Sequence, residues 1–484
     1  MNIEFIDKYK KLPLQVRASI WFLISSFLQK SISALTTPIF TRLLTNAEYG
    51  QFNVFLSWQS ILRVVVTLNL FYGVYTSGLV KFEEKRNEFI SSLEGLTLLL
   101  TSCWGVFYFV LRDTLNKLVS LTTPQMLSMI LTFWTTAVYS FWAAEQRVKY
   151  RYKSLVGVTV AVSIIKPIAG IIAIYFFYDK VTARIISLAV VEIVFFAWMF
   201  VYHIFRSNKL YSPFFWKYAL RFNIPLIPHY LAQNILNNSD RIMIDRMVSK
   251  EAAGIYSLAY SVALIMNLFN TALTQTIGPW VYERIKHHEE KEIKKIALPS
   301  IILIAFVNLI LITFAPEIIR IFAPPSYYEA IWTIPPVVMS VYFTYLYNVF
   351  SYFEFYYEKT SFIAIATIIS ALANIGLNYV FISLFGYIAA GYTTLICFIL
   401  YAFCHFFVMK KISKENMAGE DVIPAKSLLY ISFGFMAIGF IYCAMYPVSI
   451  IRYGSLLISL VIIFIRRDYL ISNIRNILSI KKGV

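Results

Sequence analysis

With 59% hydrophobic and only 14% charged residues in 484 positions, the chain is too apolar for an ordinary soluble domain. Its formal charge of +17 points to a polyanionic partner, yet the cations cluster in alternate loops: Lys8/Lys10/Lys11/Arg17, Arg147/Lys149/Arg151/Lys153, Lys410/Lys411/Lys414 and Arg466/Arg467. Such positive-inside asymmetry puts both termini in the cytoplasm and makes anionic lipid headgroups, not nucleic acid, the partner of the excess charge.

Apolar stretches of about 20 residues, enough to cross a ~30 Å hydrocarbon core, predict fourteen membrane helices. They cover 18–40, 52–75, 88–111, 122–144, 154–177, 182–203, 222–240, 253–282, 296–315, 330–353, 360–383, 386–408, 428–446 and 449–465. The residues up to Arg17 carry no small-residue cleavage site and are expected on the cytoplasmic membrane surface. Cys103, Cys397, Cys404 and Cys443 all fall inside spans, with no metal-ligand spacing and no disulfide framework.

Span one carries Ser26, Lys30, Ser33 and Thr37 on one face, and span two carries Gln59, Arg63 and Thr67. Lys30 stands about twelve residues into its span, roughly 18 Å deep at about 1.5 Å per residue, too deep for its stem to reach the headgroups. A cation at mid-membrane costs roughly 2.5–3.5 kcal/mol on insertion scales. Lys30, Arg63 and Lys166 therefore mark a buried site for an anion, with Arg63 offering a planar fork to phosphate oxygens. The competing reading for each is an ion pair or helix–helix packing. For Lys166 both stay open, because Glu192 in span six either neutralises it or acts as a proton carrier of its own.

Span seven is polar along its length, with Pro225, Pro228, His229, Gln233, Asn234, Asn237, Asn238, Asp240 and Arg241. His229, Gln233, Asn237 and Arg241 share a face at four-residue steps. Span eight adds Asn267, Asn270, Thr271, Thr274 and Gln275, and span eleven adds Asn374 and Asn378. Amides suit sugar hydroxyls and serve equally as glue between membrane helices. The candidate substrate contacts are thus Lys30, Arg63, Lys166, Gln59, Gln233, Asn237 and Arg241, and the candidates for coupling or ion pairing are Glu192, His229 and Asp240. In span ten, Tyr342 and Tyr345 suggest a stacking wall for sugar rings, while Tyr352, Tyr356 and Tyr357 fit the interfacial aromatic belt. His287-His288-Glu289-Glu290 reads as a solvated loop. No catalytic residue, metal or cofactor is expected.

Residues 42–52, after span one, and 246–256, after span seven, align without a gap at an offset of 204: Arg42 with Arg246, Thr45 with Ser249, Gly50 with Gly254, Phe52 with Tyr256, and beyond them Ser57 with Ser261. Thr45 and Ser249 are placed to cap the helices that follow. A duplicated six-span unit crosses the membrane an even number of times, so its copies run parallel about an axis along the membrane normal. The expected fold is an all-α polytopic membrane protein of two parallel six-helix lobes, 1–220 and 221–412, followed by two C-terminal helices and a tail in 413–484.

Two stretches carry a resemblance: Thr41-Arg42-Leu43-Leu44-Thr45 with Glu48-Tyr49-Gly50, and Ser239-Asp240-Arg241-Ile242 with Gly254-Ile255-Tyr256-Ser257-Leu258-Ala259-Tyr260. The chain resembles, over its whole length, the Wzx-type O-antigen and lipid-linked oligosaccharide flippases of the multidrug/oligosaccharidyl-lipid/polysaccharide exporter superfamily. The resemblance implies a bacterial inner-membrane transporter whose cargo is a polyprenyl-pyrophosphate-linked oligosaccharide for lipopolysaccharide or capsule. It also implies a cationic cavity for the pyrophosphate, to which Lys30 and Arg63 stand at comparable depths. A groove for the lipid tail beside spans thirteen and fourteen follows from it too, as does contact with polysaccharide polymerase and chain-length machinery.

Two other functions compete. A cation-coupled drug exporter of the same superfamily needs intramembrane carboxylates; span one has none, and Glu192 and Asp240 keep the reading alive. A polysaccharide polymerase or glycosyltransferase needs catalytic groups in a large outside loop. The longest here, Pro316 to Glu329, holds no paired-carboxylate motif, and no nucleotide loop, Ser-His-Asp set or zinc motif occurs.

Overall fold

The computed structural model describes residues 12–207, 209–417, 422–455 and 457. Among them the elements are helices: α1 (Leu14–Leu43), α2 (Asn46–Thr67), α3 (Val74–Lys81), α4 (Arg86–Val110), α5 (Arg112–Val119), α6 (Thr123–Val148), α7 (Tyr152–Phe176), α8 (Lys180–Ser207), α9 (Pro213–Asn223), α10 (Ile227–Met247), α11 (Lys250–Ala263), α12 (Asn267–Lys286), α13 (Glu290–Thr313), α14 (Ala315–Phe322), α15 (Ile334–Tyr356), α16 (Thr360–Phe385), α17 (Ala389–Asn416) and α18 (Ala425–Ala444). The first thirteen expected spans each find a helix. Most of the fourteenth lies outside the described residues.

Ten helices are long and apolar enough to cross a membrane, or eleven with the bent pair Pro325–Trp332 and Ile334–Tyr356. The α11 and α12 segments count there as one stretch, joined by a short 3₁₀ turn at Leu264–Met266. Two helices of sufficient length fall short on hydropathy, α2 and α10. These are the helices that carry Gln59 and Arg63, and His229 through Arg241. Intramembrane polarity is concentrated where candidate cargo contacts were expected.

Local chemistry sets the helix starts. Thr45 caps α2 in a capping box: its side chain accepts from the Glu48 N–H, and the Glu48 carboxylate accepts from the Thr45 N–H. Ser249 caps α11 by accepting from the Ala252 N–H. The preceding helices end alike, with the Leu44 N–H on the Phe40 carbonyl and the Val248 N–H on the Ile244 carbonyl. Further in, Ser57 donates to the Asn53 carbonyl and Ser261 to that of Ser257. Each pair of positions differs by the same 204 residues, so the sequence duplication extends to the hydrogen bonds.

Span two ends earlier than its apolar run suggests. Leu68 and Asn69 take positive φ and stop α2 at Thr67. Asn223 Nδ2 holds that turn by donating to the Leu68 and Asn69 carbonyls at 3.0 and 2.9 Å. Span seven shifts the other way. A one-turn 3₁₀ segment containing Pro225 interrupts the chain at Ile224–Leu226, and the regular helix runs on to Met247.

The chain divides into two compact units, Met1–Asn238 and Ser239–Val484. The division lies inside α10, beyond the boundary expected at 220, because the partners of α10 change along it. Asn234 Oδ1 accepts from Ser60, at 2.8 Å, and Tyr230 packs edge-on against Tyr72. Ser239 instead donates to Asn374 Oδ1, at 2.8 Å. In the first unit α8 packs against α6 and α7, and α1 against α7; in the second, α15 and α16 pack against α17.

Candidate functional site

In the first unit α1, α2, α6, α7 and α8 surround a cavity of about 320 Å³ lined by Ser33, Gln59, Thr132, Lys166, Arg184 and Glu192, among others. Lys166 Nζ donates to Glu192 Oε1 at 2.6 Å, so the ion pair, one of the two readings left open for Lys166, forms. The other Glu192 oxygen accepts from Thr135 and Thr136 at 2.6 and 3.2 Å. Donors from two helices, α6 and α7, thereby satisfy one carboxylate of α8, and Lys166, only partly buried, still borders the cavity. Gln59 Nε2 donates to Thr132 Oγ1 at 2.6 Å, fixing α2 to α6 on the same wall.

Sequence reasoning passed over Arg184, one turn into α8, where a cation reads as interfacial. Its guanidinium lies 3.5 Å from the ring centroids of both Phe40 and Phe52. A planar cation held between two aromatic faces keeps its N–H edge while losing rotamer freedom.

Lys30 and Arg63 do not line this cavity. Lys30 lies on an exposed stretch of α1. Arg63 is half-buried on α2, 5.9 Å from the Phe71 ring, and its buried Nε has no hydrogen-bond partner. The three cations expected at mid-membrane are thus not gathered in this cavity.

On α10, Gln233 is exposed, Asn237 Nδ2 donates to the Gln233 carbonyl at 2.7 Å, and His229 lies beside Tyr230. Arg241 is buried, its guanidinium 4.2 Å from the Tyr260 ring. Asp240 is buried as well and fully engaged. Oδ2 accepts from Tyr256 at 2.6 Å and from Thr394 at 2.7 Å, and Oδ1 accepts from Asn378 at 2.6 Å. Asn374 bridges Ser239 and Asn378. Among the described residues no group of three or more His, Cys, Asp or Glu side chains could hold a metal ion.

The tyrosine wall does not form. Tyr342 and Tyr345 are fully buried, hydrogen-bonded to Ser432 and Ser300 at 2.9 and 2.7 Å. Tyr352, expected at the interface, is also buried and donates to the Thr274 carbonyl at 3.0 Å. Phenol groups on an apolar helix found partners inside the bundle, where an unmet hydroxyl is costly.

The chain matches the family model described as polysaccharide biosynthesis protein over residues 16–284. It belongs to that family. A second model, MatE, matches residues 225–380. The Lsg locus protein 1 of Haemophilus influenzae is 24% identical over 311 residues, which are 59% of this chain and 71% of that protein. Among solved structures, the lipid II flippase MurJ in an inward closed conformation superposes with a TM-score of 0.69 at 17% identity, covering 93% of this chain and all of that one. An inward-facing multidrug resistance MATE transporter of the MOP superfamily gives 0.60 at 14% identity, over 80% of this chain and 95% of that one. The chain is therefore a multi-pass, all-α member of the polysaccharide biosynthesis family with the fold of these solved structures.

Proposed function

We propose that the chain is a flippase that moves a polyprenyl-pyrophosphate-linked oligosaccharide, a repeat unit of O-antigen or capsule, from the cytoplasmic to the outer leaflet of the bacterial inner membrane by alternating access. Arg63 carries this reading. It is a cation in the last turn of a helix unusually polar for its length, with a buried N–H that no group among the described residues satisfies. A diphosphate supplies such an acceptor, and the desolvated guanidinium binds it more strongly than water would allow. Lys30, Lys166 and Arg184 add positive charge along the first unit, and the amides of α10 suit the glycan. Membership of a polysaccharide biosynthesis family supports this cargo class. The polymerase and chain-length machinery would receive the flipped unit.

The drug-exporter reading rests on Glu192 and Asp240. Both carboxylates are already saturated by protein donors, which favours the flippase.

The test is complementation of cells lacking the protein with wild type or Arg63→Gln at equal expression. The expected result is accumulation of the complete lipid-linked unit and loss of surface polymer, rescued by wild type and at least tenfold less by the variant. Normal lipid intermediates and a normal surface in the deletion strain would overturn the proposal.

A further inference from the structure

The first unit holds a second polar centre that this transport reading leaves unused. His203 on α8 is almost wholly buried and meets two carboxylates: Nδ1 is 2.6 Å from Glu94 Oε1 on α4, and Nε2 is 3.1 Å from Glu145 Oε2 on α6. Glu145 Oε1 also accepts from Lys149 at 2.5 Å and Arg206 at 2.9 Å. Tyr75 of α3 is buried nearby with its hydroxyl unpartnered; Arg86 of α4 and Tyr202 of α8 complete the titratable surroundings.

Each nitrogen–oxygen contact needs a proton, since two facing lone pairs repel. A neutral imidazole between two carboxylates has one proton for two contacts. The arrangement therefore needs a second, held either as an imidazolium or as the acid form of Glu94. The remaining Glu94 oxygen is buried without a partner, an arrangement that disfavours full ionisation.

The second unit supplies a contrast. Glu354 on α15 and His405 on α17 pair through one contact, at 2.6 Å, and both are buried. Neutral His405, with its proton on Nδ1, satisfies that contact alone, and its Nε2 has no partner. The same helix pair in each unit thus carries a Glu–His contact, and only the first adds a carboxylate.

The centre also has an outlet. Lys149 and Arg206 border a polar cavity of about 440 Å³ with Glu83, Glu84, Asn87 and Ser207, at the basic ends of α6 and α8. Towards the Lys166–Glu192 pair, Val138, Trp142, Phe196 and Met199 form an apolar layer. Proton exchange is therefore open on one side and closed on the other.

We propose that Glu94, His203 and Glu145 form a proton-binding site, loaded and emptied through the cavity beside Lys149 and Arg206, whose occupancy sets the packing of α4 on α8 during transport. Loaded, the five charged groups sum to +1; emptied, to zero. Loss of the proton to cavity water leaves one imidazole proton for two contacts, so that His203 faces either Glu94 or Glu145 without one, which loosens α8 from α4 or from α6.

The test uses the full-length protein in lipid nanodiscs with ring-¹⁵N histidine, at about pH 8, the upper end of the ordinary histidine range. His203 is expected as an imidazolium, or as a neutral ring accompanied by an infrared carboxylic-acid band that Glu94→Gln removes, while His405 is neutral. His203→Gln assigns the signal. If the variants fail to fold, wild type alone decides: no imidazolium among its five histidines and no carboxylic-acid band would overturn the site. A second arm measures export of the lipid-linked unit in everted vesicles against pH. Glu94→Gln is expected to flatten the profile with thermal melting unchanged, and an unaltered profile would refute the coupling. Only this arm rests on the flippase reading; failure of wild type to export at any pH counts against that reading, and the spectra judge the proton site separately.

Discussion

The two units share a frame and differ in what they bury. At positions 204 apart the caps, helix ends and serine bonds repeat, and both units bury ionisable groups, yet they partner them differently: Glu94, Glu145 and Glu192 of the first unit all meet a histidine or a cation, whereas Asp240 of the second accepts from neutral donors and a cation meets a carboxylate there at Arg452 and Glu317. Lys166–Glu192 and the Glu94–His203–Glu145 centre bring cations and carboxylates together in the first. In the second, Asp240 is held by a phenol, an amide and a hydroxyl, and Glu354 by one histidine. Backbone caps are set by local sequence and survive duplication. Interior polar groups are constrained only by the need for partners, so they diverge with the work each unit does.

That contrast can be broken at three points. The largest expected effect is at Asp240. Asp240→Ala strands the Tyr256, Asn378 and Thr394 donors, at about 1–3 kcal/mol for each unsatisfied group, so unfolding in mixed micelles should show a loss of about 3 kcal/mol or more. A loss under 1 kcal/mol would mean those donors re-pair easily and the network is not rigid.

Next is the charged pair. Glu192→Leu leaves Lys166 uncompensated and should cost about 3 kcal/mol. The double variant Lys166→Met/Glu192→Leu should recover most of that stability without recovering transport. Recovery of both would reduce the pair to packing; recovery of neither would show that Thr135 and Thr136, not the charge, hold α6 to α8.

The smallest effect tests the shared frame. Thr45→Ala and Ser249→Ala should each cost about 1 kcal/mol, with Thr45 somewhat the larger because its capping box is reciprocal. A twofold larger effect at Ser249 would deny that the two caps are equivalent.

Much of the site was legible because intramembrane charge is costly. Lys166 opposite Glu192 could be paired from their positions in consecutive spans, and the polar run of α10 announced itself. Attention to the cations and to Glu192, His229 and Asp240 passed over Glu94, Glu145, His203, Glu354 and His405, although Glu94 and Glu354 are carboxylates inside apolar runs and fall under the same rule. Glu145 was obscured by the basic cluster beside it, and Arg184 by its place near a helix end. A stacking role for Tyr342 and Tyr345 stayed open in the sequence because periodicity identifies a face, while burial depends on what packs there.

Sequence by itself determined the number and approximate bounds of the first thirteen membrane helices, the duplication with its caps, and the family. Hydropathy, capping and turn chemistry are local, and each acts within a few residues of the chain. Tertiary structure decided which polar groups meet: that Lys166 reaches Glu192 and still borders a cavity, that Arg184 lies between two rings, and that one histidine faces two carboxylates. Those pairings join residues 26 to 144 positions apart, from Lys166–Glu192 to Arg184–Phe40. They follow from the packing of helix on helix, which no local pattern encodes.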